Sequence, residues 1–214
     1  MKRCITAACA VLLASAMLLC GCAGANKIQM VGGGKYVDQK SGITYNEAPY
    51  CYEPIAVGEK AYGRLGEVDF YRIEGVSPEK WLTSAGVVFY ADGESVPALS
   101  DMNISYATVE IDMNLNFNIS DSTVLDALAD AYVNGAAVTR PSPALPASNY
   151  LINWMIKLAD ADLGIYYSIS YFEMKDGRKL LFNRFENRCV EVGDVMQSYV
   201  AEYGNLVTAE TEAE

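Results

Sequence analysis

The sequence predicts a single α+β domain: a predominantly antiparallel β-sheet with two short helices packed on it. Three observations lead there. Apolar and polar residues alternate with a period of two over several long runs, as strands do when one face is buried and the other wet. Asp176-Gly177 separates two such runs, a strong hairpin signal because both positions of a two-residue turn need positive φ. Two further stretches carry the spacing of an amphipathic helix.

Taken along the chain, Tyr36-Val37 and Ile43-Thr44-Tyr45 are expected to pair around residues 39–42, and short strands are expected at 68–74 and 86–91. Ser77-Pro78-Glu79-Lys80-Trp81 fits one turn of helix with proline at its first position. The clearest alternation joins Ala107, Val109, Ile111, Met113, Leu115, Phe117 and Ile119. It predicts one antiparallel strand, since a parallel strand covered on both faces would not alternate so cleanly. Ser120-Asp121-Ser122 then supplies an N-cap for a helix whose face carries Val124, Leu125, Leu128, Ala131 and Tyr132, and Asn134-Gly135 ends it. Pro141, Pro143 and Pro146 stiffen the following connection.

Tyr150, Ile152, Trp154, Ile156 and Leu158 form the next alternating strand, and the hairpin spans residues 165–185. A two-residue turn places Tyr171 opposite Phe182 and Glu173 opposite Leu180, with Ile165, Tyr167, Ile169, Tyr171 and Phe182 on the core face. A second helix opens at Asp194, with Gln197 three residues on as a capping-box variant, and closes at Gly204. Residues 206–214 form an acidic tail with no packing signal.

Composition sets the outer bounds. The chain has 214 residues, 51% hydrophobic and 20% charged, which suits one well-buried globular domain. Its formal charge is −11, and loss of Lys2 and Arg3 with an export signal takes it to about −13. So acidic a body repels phosphate backbones, which argues against nucleic acid as partner. It is also repelled by anionic lipid, so membrane contact is expected through an anchor and not through a basic face.

That anchor is legible at the N-terminus. Lys2 and Arg3 precede an uncharged run from Cys4 to Cys20, the layout of an export signal. Leu19-Cys20-Gly21-Cys22 resembles the lipobox of bacterial lipoproteins. The resemblance implies cleavage before Cys22 and a thioether-linked diacylglycerol on that cysteine, with palmitate among its chains. It covers the first tenth of the chain and says nothing about activity. It also implies a location on the extracytoplasmic face of the cell membrane, or on the outer membrane where the host has one. Two or three acyl chains hold durably where one binds reversibly.

Residues 22–34 read as a lipidated N-terminus and flexible tether reaching on the order of 20 Å, ahead of a globular domain at 35–205. Gly32-Gly33-Gly34-Lys35 fits a linker better than a phosphate loop, because Tyr36 stands where Ser or Thr is required.

Catalytic signals are sparse. The sequence contains no histidine, which removes histidine triads, histidine metal ligands and the usual general base near neutral pH. Cys51 and Cys189 form no Cys-x-x-Cys pair and do not suggest zinc. They are either a disulfide, closing a long loop with a stabilisation of roughly 4 kcal/mol, or two separately buried thiols. Carboxylate chemistry is the surviving enzymatic option, with Asp121, Asp126, Asp130, Glu47, Glu53, Asp160, Asp162 and Glu173 as the acids available. Asp160-Ala161-Asp162 resembles half a calcium loop without its downstream Gly and Glu. Neither a metal nor a cofactor is called for. Tyr50 and Tyr52 flank Cys51, and Tyr166 adjoins Tyr167. One of each pair is expected on an outer face, where aromatics bind glycans, peptides or proteins. The expectation is therefore a non-catalytic binding or interaction module with an unidentified protein or glycan ligand. A paired-carboxylate hydrolase and a structural envelope component are the alternatives.

Overall fold

The computed structural model describes residues 25–112, 115–141 and 150–204. The export segment, Cys22, the acidic tail and most of the proline-rich connection lie outside them. Two layers make up one domain, mostly strand with two short helices. The first layer is a closed barrel. It comprises β1 (Asn26–Gly32), β2 (Lys35–Asp38), β3 (Thr44–Glu47), β5 (Val57–Leu65), β6 (Val68–Ile73), β7 (Trp81–Ser84) and β8 (Val87–Ala91), in the order β1-β2-β3-β8-β7-β6-β5. The second is a sheet ordered β10-β9-β11-β12-β13-β14, made of β9 (Ile104–Glu110), β10 (Asn116–Ile119), β11 (Tyr150–Asp160), β12 (Ile165–Met174), β13 (Lys179–Asn183) and β14 (Arg188–Glu191). Strand β4 (Tyr52–Pro54) pairs with the first residues of β12. Helix α1 (Ser122–Asn134) packs Leu125, Leu128 and Tyr132 into the core, and α2 (Gln197–Tyr203) stacks Tyr199 and Tyr203 on Phe117.

Three apolar clusters follow. Ile28, Tyr45, Phe70, Leu82, Phe89 and Ala91 fill the barrel. The largest cluster lies between the sheet, the helices and the barrel wall, joining Ile156, Leu158, Ile169 and Tyr171 to Ile73, Trp81 and Val88. Strand β7 is consequently buried on both faces, all four residues of it, which is why no alternation announces it. Sharing that wall welds barrel and sheet together.

The barrel corrects the expectation of one plain sheet, and three local readings change with it. Residues 26–32 are not tether but the first barrel strand, and Gly33-Gly34 form its turn into β2. The long alternation at 107–119 is two strands, folded back so that Val109 faces Phe117 and Ala107 faces Ile119. Both partners bury the same face, so the period of two runs on through the turn. The register of the β12–β13 hairpin differs by one residue: Tyr171 faces Leu181, and Glu173 faces Lys179. Met174 N–H donates to the Arg178 carbonyl, so the loop holds three residues, with Gly177 at φ 87° supplying the left-handed position. A one-residue slip turns side chains to the other face. Leu181 therefore enters the main core, and Phe182 sits on the far side beside Leu180 and Cys189.

Shorter-range differences are of the same kind. At 77–81 there is a single turn, after which Trp81 opens β7. Helix α2 begins only at Gln197, because Lys179 takes the side chains of Asp194 and Gln197 that would cap it.

Cys51 and Cys189 are free and buried. Cys51 lies in the main core, and Cys189 lies on the opposite face of β14 from the core residue Val190. The sheet separates them, and no bridge forms. Burial pushes both thiols up. A reductant such as dithiothreitol should accordingly leave Tm unchanged, and a thiol-reactive dye should label both only after denaturation. A Tm drop of several degrees on reduction would show a bridge.

Candidate functional site

The most developed concavity is a cleft of about 860 Å3 at one end of the barrel, between Asn26, Lys40 and Ser41 on one side and Gly58–Tyr62, Arg72 and Glu79 on the other. An irregularity in β5 shapes it. Val57 pairs with Ile73 and Ala61 with Tyr71, so β5 spends four residues where β6 spends two, and the excess bulges outward. The stretch Gly58-Glu59-Lys60-Ala61-Tyr62-Gly63 carried a usable signal, since glycines inside a strand mark bulges or close approaches. Periodicity alone assigns this stretch to no element.

The floor is organised by Asp38, which is fully buried. Its carboxylate accepts hydrogen bonds from Asn26 Nδ2, the Lys40 amide, Ser41 Oγ and Tyr62 OH, at 2.8 to 3.0 Å. Burial raises its pKa, but the Lys40, Tyr62 and Ser41 bonds outweigh that and hold it below its ordinary value. Tyr62 is fixed by this bond, and the Arg72 guanidinium lies 5.7 Å from its ring centroid, in cation–π range. Among the described residues Lys40, Lys60 and Arg72 form no ion pair, although Glu59 and Glu79 line the same cleft.

The barrel closes immediately beside the cleft. Among the described residues β1 and β5 meet in parallel through two residue pairs, Asn26 with Gly63 and Lys27 with Arg64. A Cβ on Gly63 would lie 2.7 Å from Ile28 Cγ1, so only glycine allows this approach.

Two other polar clusters are structural in form. On the outer sheet face Lys157 bridges Glu53 and Glu110 at 2.8 Å each, and Ser168 Oγ also donates to Glu53. On the core side Tyr132 and Tyr167 donate to the two oxygens of Glu186, and Asn183 donates to Tyr167. Tyr50, 57% exposed, rests against Phe185, while Tyr52 and Tyr167 are buried and Tyr166 is half-buried.

Of the acids singled out in the sequence, Asp160 and Asp162 both bond Asn103, and Asp126 and Asp130 share a groove with it, whereas Asp121 lies at the start of α1 and Glu47, Glu53 and Glu173 sit on separate strands. Asp121 caps α1 by accepting from the Thr123 amide, and Asp130 accepts from Asn134. Asp126 and Asp130 line a groove between α1 and residues 99–104. Asp160, buried, accepts from the Asn103, Asp162 and Leu163 amides, tying the β11–β12 turn, while Asp162 accepts from Asn103 Nδ2. Glu47 lies next to Tyr50, and Glu173 pairs across from Lys179. The acids whose acidity departs from the ordinary, Asp38, Asp69, Asp92 and Asp176, all shift downward, the reverse of what a proton donor requires. Among the described residues no group of three or more His, Cys, Asp or Glu side chains could hold a metal ion, and no helix is long and apolar enough to cross a membrane.

Comparison with family models, with curated proteins and with solved structures finds no match.

Proposed function

We propose that this chain is an extracytoplasmic lipoprotein, anchored through Cys22, that works as a non-catalytic binding module with the barrel-mouth cleft as its binding site. One observation carries the second half of this reading. The cleft is large enough for a small ligand, and its walls are tied by the Asp38 bonds and the barrel seam. Its lining offers cations, a tyrosine and exposed carboxylates, with no paired, buried acids of the kind a glycosidase uses. The lipobox-like Leu19 to Cys22 supports the anchoring half.

Anchoring is tested in the native host. The protein should fractionate with membranes and show an acylated N-terminal cysteine by mass spectrometry, whereas Cys22→Ser should be released or left unprocessed. Normal processing and unchanged attachment of that variant would refute acylation. The cleft is tested in the anchored protein by a photo-crosslinking residue at position 60, which should give a discrete adduct that the same residue at exposed position 175 does not. No adduct at position 60 removes the cleft as the binding site.

A further inference from the structure

The short approach to the barrel, together with the cations at its mouth, gives the cleft a ligand class. Ala25 and Asn26 line it, and Ala25 is three residues after Cys22. Three extended residues span at most about 10 Å. With residues 26–32 in β1, a chain acylated at Cys22 has no long tether, and the cleft is held within that distance of the acyl attachment.

We propose that Lys40, Lys60 and Arg72 form a binding site for a phosphate oxyanion, and that its source is the headgroup of the lipid on which the protein sits. The lipid source rests on the anchored reading above; the phosphate chemistry does not.

The charge argument turns on distance. The body is acidic overall, at −11 for the full chain, but salt screens charges beyond about 8 Å at physiological ionic strength. Within that range the groups that count are those of the cleft. Lys40, Lys60 and Arg72 line it without an ion pair among the described residues, and Glu59 and Glu79 line it too. Asp38 beneath keeps its charge, with its oxygens turned to four donors of its own. The three cations therefore offer donors that no carboxylate among the described residues takes up, and a phosphate oxyanion would accept from them. Arg72 is the best-prepared donor. Its guanidinium lies 5.7 Å from the Tyr62 ring centroid, and its planar fork of donors suits two phosphate oxygens. Tyr62 is in turn held by Asp38.

The test uses the chain from residue 22 onward carrying Cys22→Ser. It keeps every described residue and has no acyl group to contribute affinity. Two probes separate the sources: inorganic pyrophosphate by calorimetry, and sedimentation with phosphatidylcholine vesicles with or without phosphatidylglycerol. The expected result is binding to the phosphatidylglycerol vesicles, weakened at least tenfold between roughly 0.01 M and 0.15 M salt and about thirtyfold by K60A/R72A. The control K175A/R184A removes two exposed cations elsewhere and should bind as the parent does. Pyrophosphate binding lost in K60A/R72A also supports the site, with a free phosphate as its source. Binding of neither probe overturns the proposal, as does an equal loss in the control, provided thermal melts show both variants folded. An adduct at position 60 with neither probe bound would leave the binding-module reading standing and remove only the phosphate assignment.

Discussion

Asp38→Ala is expected to lower the unfolding free energy by about 3 kcal/mol and to loosen the mouth of the barrel. The reason is the asymmetry of buried hydrogen bonds. Making one contributes little, but stranding its partner costs roughly 1–3 kcal/mol. Asp38 serves donors on β1, on β5 and in the 40–41 turn, so its loss strands groups on both sides of the closure. Asn26 and Ser41 can turn toward water, whereas Tyr62 is held between Asp38 and the Arg72 guanidinium. Tyr62→Phe should cost less, because three donors remain. Acid adds a second handle. Because the folded-state pKa is below the ordinary 3.8, the contribution is complete above about pH 4 and disappears as pH falls through the lower folded value. Urea denaturation at neutral pH and near pH 3 should show the gap between wild type and Asp38→Asn narrowing in acid. A constant gap would mean that the carboxylate charge is not what holds the mouth.

Gly63→Ala should cost about 2 kcal/mol by forcing the parallel seam apart. The added methyl would meet Ile28 Cγ1 at 2.7 Å, Ile28 Cδ1 at 2.8 Å and the Asn26 carbonyl at 3.1 Å. Ile28 is 1% exposed in the barrel core, so any shift of its side chain presses on packed neighbours, and overpacking of roughly 1–3 kcal/mol applies. Among the described residues the seam has two residue pairs, so its own hydrogen bonds cannot absorb the strain. A double-mutant cycle checks the cause. Ile28→Ala removes both clashing carbons, and G63A/I28A should be less destabilised than the two single losses together. Strict additivity would place the damage elsewhere. The change also reaches the cleft, since Asn26 is both a seam residue and part of its lining.

How much of this could be read beforehand depends on what each element buries. Strand β11 and helix α1 were legible because each buries one face only. The alternation at Ile152, Trp154, Ile156 and Leu158 and the spacing of Leu125, Leu128 and Tyr132 follow directly from that. Strand β7 was not, because barrel and sheet cover both its faces. Strand β1 was not either: after Ile28 its residues are exposed, and Gly32-Gly33-Gly34 resembles a linker as closely as a hairpin turn. The cleft depends on a bulge, which is a count of residues against a neighbouring strand and exists only once the partners are known.

From the sequence by itself came the lipobox-like motif at Leu19 to Cys22, the predominance of antiparallel strands, the core residues of α1 and of β9 to β12, and the lack of histidine. Tertiary structure alone decided the closure into a barrel, the register that turned Phe182 out of the main core, the separation of Cys51 from Cys189, and the cleft that Lys40, Lys60 and Arg72 line. The physical reason lies in which forces each level carries. Side-chain periodicity reports which residues leave water together, whereas backbone hydrogen bonds, nearly the same for every residue, choose the partner strand and the register.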